Sequence, residues 1–238
     1  MLRAMSNLSA FEITKRWPAA HPDRIQLYSF PTPNGVKVAI ALEEMGLEYE
    51  AHAVHIMKNE TWNPEFLSLN PNGKIPAIID PNGPGGTPMG LFESGAILVY
   101  LAEKSGKLLP ADPALRYETL AWVFFQMAAI GPMFGQLGFF HKFAGKDYED
   151  KRPRDRYLDE TKRLLGVLDT RLQGREWIMG DDFTIADVSM IGWVNALTGF
   201  YGASELVEFE SRGNVAAWLA RALARPAVKK GLTIPSPG

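Results

Sequence analysis

The chain has 238 residues, 46% of them hydrophobic and 22% charged, and contains no cysteine. That is enough apolar sequence to build one large or two small domains. Lys plus Arg total 25 against 27 for Asp plus Glu, a formal net charge of −2. This balance offers no electrostatic footprint for nucleic acid and no basic surface for an acidic membrane. The missing cysteines exclude a disulfide scaffold, thiolate metal sites and any protein-thiol nucleophile. Sulfur chemistry here would need a sulfur that arrives with a ligand.

Residues 1–24 form an N-terminal extension with scattered charges and no apolar run of signal-peptide length, so a cytoplasmic location is expected. IQLYSF then reads as a strand, and the turn residues Pro31, Pro33 and Gly35 lead into VKVAIALEEMG at helical spacing. Gly46 is a natural stop for that helix. YEAHAVHI is a second strand, making a βαβ unit with a parallel pair. A loop and a short helix lead to KIPAIIDPNG, a strand that turns at Pro81-Asn82-Gly83, and MGLF is a further short strand. ESGAILVYLAEKSG is an amphipathic helix that closes a domain spanning 25–105.

Residues 106–112 read as a linker. Over 113–226 the texture is helical, with helices expected at 113–143, 149–173, 184–198 and 214–224, and 227–238 is left as a tail. The fold class is therefore α/β followed by all-α. Thr119 to Phe140 carries 22 residues without a charge, long enough to span a membrane. Gln126, Pro132, Gln136 and three glycines interrupt it, and a buried central helix is expected instead, with no membrane. Thr184 and Asp187 stand at capping-box spacing, with Phe183 and Val188 placed as a hydrophobic staple.

Three short segments can carry chemistry. In Thr32-Pro33-Asn34-Gly35, Thr32 or Asn34 can simply cap the helix; alternatively a hydroxyl, an amide and backbone N–H groups face one thiolate. A proline at a strand entrance, as in Lys74-Ile75-Pro76, loses no ladder donor. A cis peptide there would turn the backbone of Ile75 toward an extended ligand. At Phe92-Glu93-Ser94-Gly95, Ser94 is either an ordinary N-cap or a partner for a ligand carboxylate, with Glu93 facing a ligand ammonium. Tyr28 lies within the first strand and reads as structural. His21, His52 and His55 show no metal-ligand spacing with one another or with a carboxylate pair, and no metal is expected.

TPNG, NPNGKIPAI, LFESGAILVYLAEK and FTIADV occur in this order and spacing. Together they resemble the cytosolic glutathione transferases across residues 25–226, and most closely the bacterial Nu class. The resemblance implies a thioredoxin-like N-terminal domain, an all-helical C-terminal domain and a homodimer. It makes Ile75-Pro76 the cis-proline turn that pairs with the cysteinyl backbone of glutathione. Glu93 and Ser94 become γ-glutamyl anchors, Lys74 a carboxylate partner, and Thr32 and Asn34 the residues beside the sulfur.

The resemblance also brings Arg156 to the site, although from the run KRPRDR alone it reads as a solvated charge. Thr61 stands where relatives carry a glutamine that contacts glutathione. The aromatic stretch Phe134, Phe139, Phe140, His141 and Phe143 either walls a second-substrate pocket or packs the core, and His141 reads as a rim residue. The class implies two glutathiones per site, or one glutathione disulfide, and reduction of small disulfides without a protein cysteine. Transfer of glutathione to electrophiles and reduction of organic hydroperoxides are the alternatives within enzymes. A non-catalytic glutathione-binding regulator, the role of a fungal relative on this scaffold, is the alternative outside them. That relative's behaviour depends on an Asn/Gln-rich arm, which 1–24 lacks.

Overall fold

The structure, a computed structural model, describes residues 8–236. They fall into two compact units, one made of residues up to 105 together with those from 227 onward, the other of 106–226.

The first unit is built on a mixed four-stranded sheet of β1 (Ile25–Ser29), β2 (Tyr49–Ala53), β3 (Ala77–Asp80) and β4 (Met89–Phe92), in the order β2-β1-β3-β4. β1 runs parallel to β2 and antiparallel to β3, and β3 is antiparallel to β4. A parallel neighbour needs a crossover, which α2 (Gly35–Met45) supplies. α2 ends at Gly46, whose φ of 69° is the left-handed conformation, and Leu47 N–H reaches back to Leu42 C=O at 3.1 Å. This is the glycine helix stop that the sequence predicts. Every residue of β1 is buried, as a central strand covered on both faces must be. α3 (Pro64–Leu69) and α4 (Ser94–Ser105) complete the α/β core. This is the thioredoxin-like arrangement, and a helical domain follows it.

Register decides where ligands can go. Tyr28 of β1 pairs with Ala77 of β3, and Ala77 pairs with Phe92 of β4. The end of β1, the start of β3 and the end of β4 therefore lie side by side at one end of the sheet. The segments leaving those points (30–34, 74–76 and 93–94) must converge there.

Both chain ends join this unit. In the N-terminal segment, α1 (Ile13–Arg16) buries Ile13, and Leu8 joins it in a cluster with Tyr28, Phe66 and Leu69. The Glu50 carboxylate of β2 accepts the Ala20 and His21 N–H groups at 2.9 and 2.7 Å. Trp17 Nε1 donates to the Ala53 carbonyl at 3.2 Å. At the other end, α10 (Pro226–Gly231) lies against α2, and Lys230 pairs with Glu43 at 2.9 Å. A Cβ on Gly231 would sit 2.6 Å from Ile40 N, so glycine allows this approach. Residues from 227 onward are thus part of the α/β unit, where the sequence left a tail.

The second unit is helical, as the sequence predicts. α5 (Pro113–Phe125), a π-turn at Gln126–Ile130 and α6 (Gly131–His141) form one helix, followed by α7 (Arg152–Leu172), α8 (Ile185–Thr198) and α9 (Gly213–Ala224). This long helix packs against α7 and α8 and buries Val123, Gln126, Ile130, Phe134 and Leu137. Its opposite face leaves Tyr117 and Phe124 exposed at 72% and 66%. α8 begins with the expected capping box. Thr184 Oγ1 accepts from Ala186 N–H at 3.2 Å, while the buried Asp187 carboxylate accepts from Thr184 N–H at 3.0 Å. Asp187 also accepts from Ile178 N–H at 3.0 Å and Trp218 Nε1 at 2.9 Å, so it ties two other segments to the start of α8.

Candidate active site

The turn between β1 and α2 is organised by Thr32. Its carbonyl accepts from Val36 N–H at 3.0 Å, and its hydroxyl oxygen accepts from Gly35 N–H at 3.2 Å. Thr32 is thus the residue that caps α2. Asn34, the other candidate cap, makes no side-chain cap bond; its Oδ1 accepts from Lys37 Nζ at 2.8 Å. Gly35 is dictated by crowding, since a Cβ there would lie 1.9 Å from the Phe30 carbonyl oxygen. No side chain fits, and the loop is held against β1.

The second loop is shaped by Asn70. Its Nδ2 donates to the Lys74 carbonyl at 2.5 Å, and its Oδ1 accepts from Asn72 N–H at 3.0 Å. Ile75–Pro76 is cis, with Lys74 exposed, Ile75 half-buried and Pro76 buried. Thr61 is buried in a single turn at Glu60–Trp62, and its carbonyl lies 3.4 Å from where a Gly73 Cβ would be. The Thr61 turn therefore lies against the loop that carries Lys74-Ile75-Pro76.

The third segment opens α4. Glu93 is exposed and has a φ of 70°, a strained left-handed value for a non-glycine residue, of the kind that gathers at ligand sites. Ile97 N–H bonds the Glu93 carbonyl at 2.9 Å, so Glu93 is the first-turn acceptor and Ser94 the first helical residue. Ser94 is buried and accepts from Lys37 Nζ at 3.3 Å.

Lys37 is the residue that sequence reading missed. It is wholly buried, and its side chain spans from Asn34 to Ser94. Burial pushes its ammonium down to about 7, with the Glu93 carboxylate opposing that shift. The available signal was a lone lysine among the apolar residues of VKVAIAL, three positions after Asn34. Tyr28 is structural, as expected. Its ring stacks on His52 at 4.7 Å and meets Trp17 edge-on at 6.2 Å, and burial raises its hydroxyl pKa.

Chemically, the end of the sheet offers donors. Thr32 commits an oxygen lone pair to the Gly35 N–H and keeps a hydroxyl proton that can be donated, while the Asn34 oxygen accepts from Lys37. The first-turn N–H groups of α2 and α4 add to the same polarity. Such an arrangement favours anions at both helix starts.

The remaining predicted residues belong to the helical unit. Arg156 is exposed in the first turns of α7, near Glu160, whose carboxyl is held low chiefly by a hydrogen bond from Arg163 and in smaller part by Arg156. Phe134 is fully buried and packs the helical core, which is the plainer of its two expected roles. Phe139 and Phe140 are half-buried, meet edge-on at 5.0 Å, and share Tyr148 as a neighbour. Phe140 also stacks on Tyr157 at 5.7 Å. His141 is half-buried at the end of α6, and Phe143 is exposed beside Phe200 and Tyr201.

Residues 24–103 match the glutathione S-transferase N-terminal domain, and 121–226 match the C-terminal domain. The chain belongs to the glutathione S-transferase family. Among curated relatives, disulfide-bond oxidoreductase YfcG of Escherichia coli is 41% identical over 87% of this chain and 94% of its own length. Disulfide-bond oxidoreductase YghU of the same organism is 41% identical, covering 89% of this chain and 74% of the relative. A glutathione transferase from Burkholderia graminis, crystallised with two glutathione molecules per subunit, superposes with a TM-score of 0.97. It is 66% identical over 99% of this chain and 98% of that one. One from Pseudomonas putida, holding one glutathione disulfide per subunit, gives 0.94 at 63% identity, over 96% and 99% of the two chains.

Proposed function

We propose that this glutathione S-transferase family member is a glutathione-dependent disulfide-bond reductase of the Nu class, acting in the cytoplasm as a homodimer on small disulfides. The carrying observation is the polar turn at the start of α2, where the Thr32 hydroxyl caps the helix and the Asn34 amide stands beside it, in a chain with no thiol of its own. In this reading, glutathione lies along the loops at the end of the sheet. Ile75 pairs with its cysteinyl backbone, Glu93 with the γ-glutamyl ammonium, and Ser94 with the γ-glutamyl carboxylate. Lys74 serves a second carboxylate, and Thr61 completes the binding set.

Thr32 and Asn34 stabilise the thiolate. It attacks one sulfur of the substrate disulfide, forming a mixed disulfide and releasing one substrate thiolate. A second glutathione thiolate then attacks the glutathione sulfur of that mixed disulfide. The products are glutathione disulfide and the second substrate thiol, with two electrons supplied by the two glutathiones. The relatives named as disulfide-bond oxidoreductases, and the structures holding two glutathiones or their disulfide, support this reading.

The test uses purified protein with glutathione and 2-hydroxyethyl disulfide, beside an aryl halide and cumene hydroperoxide. A clear rate with the disulfide is expected; a rate with the halide and none with the disulfide would replace reduction by group transfer. The homodimer rests on the exposed apolar face of α5, where Tyr117 and Phe124 point to solvent.

A further inference from the structure

The helical unit carries a groove of about 640 Å³ that the glutathione reading does not use. Its floor is one face of α7, running from Arg163 through Gly166 and Val167 to Arg171, and Trp122 of α5 and Arg212, just before α9, also line it. Three of the lining side chains are guanidinium groups, and among the described residues no carboxylate lines the groove.

Two of these groups are engaged. Arg171 donates to the Ile178 carbonyl and the Glu118 carboxylate, each at 2.6 Å, and lies 5.1 Å from the centre of the Trp122 ring. Arg163 holds Glu160 through Nε and Nη2 at 2.8 and 2.7 Å, which uses only part of its five-donor fork. Arg212 differs: its Nε is buried without a hydrogen-bond partner. The neighbouring Glu208 carboxylate is held low chiefly by Lys162, its ion-pair partner, and in smaller part by Arg212. A buried, charged N–H group with no acceptor carries its full desolvation cost, so an acceptor is expected beside it.

We propose that this groove binds a phosphate monoester, with the phosphate on Arg212 and the organic part against Val167 and Trp122. The Arg212 guanidinium lies over the bare backbone of Gly166, with Nη1, Cζ and Nη2 3.6–3.9 Å from where a Cβ would stand. Gly166 is three residues beyond Arg163 and four before Thr170, about 4.5 and 6 Å along the helix axis. An oxyanion on Arg212 is thus within one turn of the Arg163 fork on one side and of the Thr170 hydroxyl on the other. A tetrahedral phosphate has oxygens for donors arriving from several directions, whereas a planar carboxylate is matched by a single fork. Guanidinium groups also suit phosphate better than ammonium groups do, being planar and weakly hydrated. The site is independent of the disulfide reading, because none of its residues serves the glutathione set.

The experiment titrates phenyl phosphate into glutathione-saturated protein at about 0.15 M salt, so that phosphate entering the glutathione site does not contribute. The readout is the Nε–Hε resonance of Arg212 in the ¹⁵N–¹H spectrum, assigned by its loss in Arg212→Gln. A saturable shift with a Kd below about 1 mM is expected. By calorimetry, Arg212→Gln should weaken phenyl phosphate about tenfold, and Arg163→Gln about threefold. Arg163 is an exposed position, so Arg163→Gln carries the test should Arg212→Gln fail to fold.

No saturable shift, or an unchanged affinity in either folded variant, overturns the proposal. So does an equal shift on adding sodium chloride, which would show charge screening alone. Benzoate binding as tightly as phenyl phosphate, or glutathione alone moving the resonance, would make the groove a carboxylate site instead. A resonance that moves with protein concentration and not with phenyl phosphate would give the groove to a second copy of the chain, and the proposal would fall.

Discussion

At the start of α2 the chemistry depends on which way each polar atom faces. A free thiol titrates near about 8.5, so lowering it by two units needs about 2.7 kcal/mol of preference for the thiolate. A helix start supplies about 0.3–1 kcal/mol, so the larger share falls to hydrogen bonds that strengthen on the anion. Asn34→Ala should therefore lower kcat with 2-hydroxyethyl disulfide by about tenfold or more while leaving the glutathione Kd within a few-fold. Ser94→Ala and Glu93→Ala should instead weaken glutathione binding by about tenfold, read by calorimetric titration. Equal losses of affinity in all three, with turnover untouched, would reverse these assignments. Lys37 adds a pH dependence. Its ammonium titrates at about 7 when folded, against 10.5 unfolded. Between those values the unfolded chain holds a proton that the folded chain lacks, so stability rises with pH across that window. Glu93, the charged neighbour that opposes the shift, narrows the window without changing its sign. Urea unfolding at pH 7 and pH 9 should show wild type gaining on Lys37→Met at the higher pH.

The elements carry their own signals, and α8 is the clearest. Thr184 and Asp187 are spaced for a capping box in the sequence, and the box is present. The sequence could not show that Asp187 also holds Ile178 N–H and Trp218 Nε1, because those partners come from other segments. Burial raises the Asp187 carboxyl to about 6, with its four hydrogen-bond donors opposing. Asp187→Ala strands several buried donors at once and should destabilise the protein by about 3 kcal/mol or more, followed by urea unfolding and Trp218 fluorescence. A loss under about 1 kcal/mol would mean that the box contributes little beyond an ordinary cap. The α2 turn teaches the complementary lesson. Thr32 and Asn34 are both legible as caps, and only their side-chain hydrogen bonds separate them, giving the cap to Thr32 and Asn34 to Lys37.

For the whole chain, exposed apolar surface bears on assembly. The α5 face with Tyr117 and Phe124 is apolar and open, which is the surface expected to meet a second copy. Phe124→Glu should shift sedimentation toward monomer while the circular dichroism spectrum stays that of a helical protein. A dimer that persists unchanged would move the interface elsewhere. The chain ends return to the α/β unit, through Ile13 at one end and through α10 against α2 at the other. Neither was legible, since short segments with few apolar residues carry no period of their own.

What the sequence determined alone was the order and type of the main elements between residues 25 and 224, the glycine stop at Gly46, the capping box and the absence of any protein thiol. These are written in neighbouring residues, where turn chemistry, hydrophobic period and composition act over a few positions. The tertiary structure decided which atoms meet: the register that sets Tyr28 beside Ala77 and Ala77 beside Phe92, and the ammonium of Lys37 between Asn34 and Ser94. Such meetings join residues up to 57 positions apart. They depend on sheet pairing and helix packing, which no local pattern encodes.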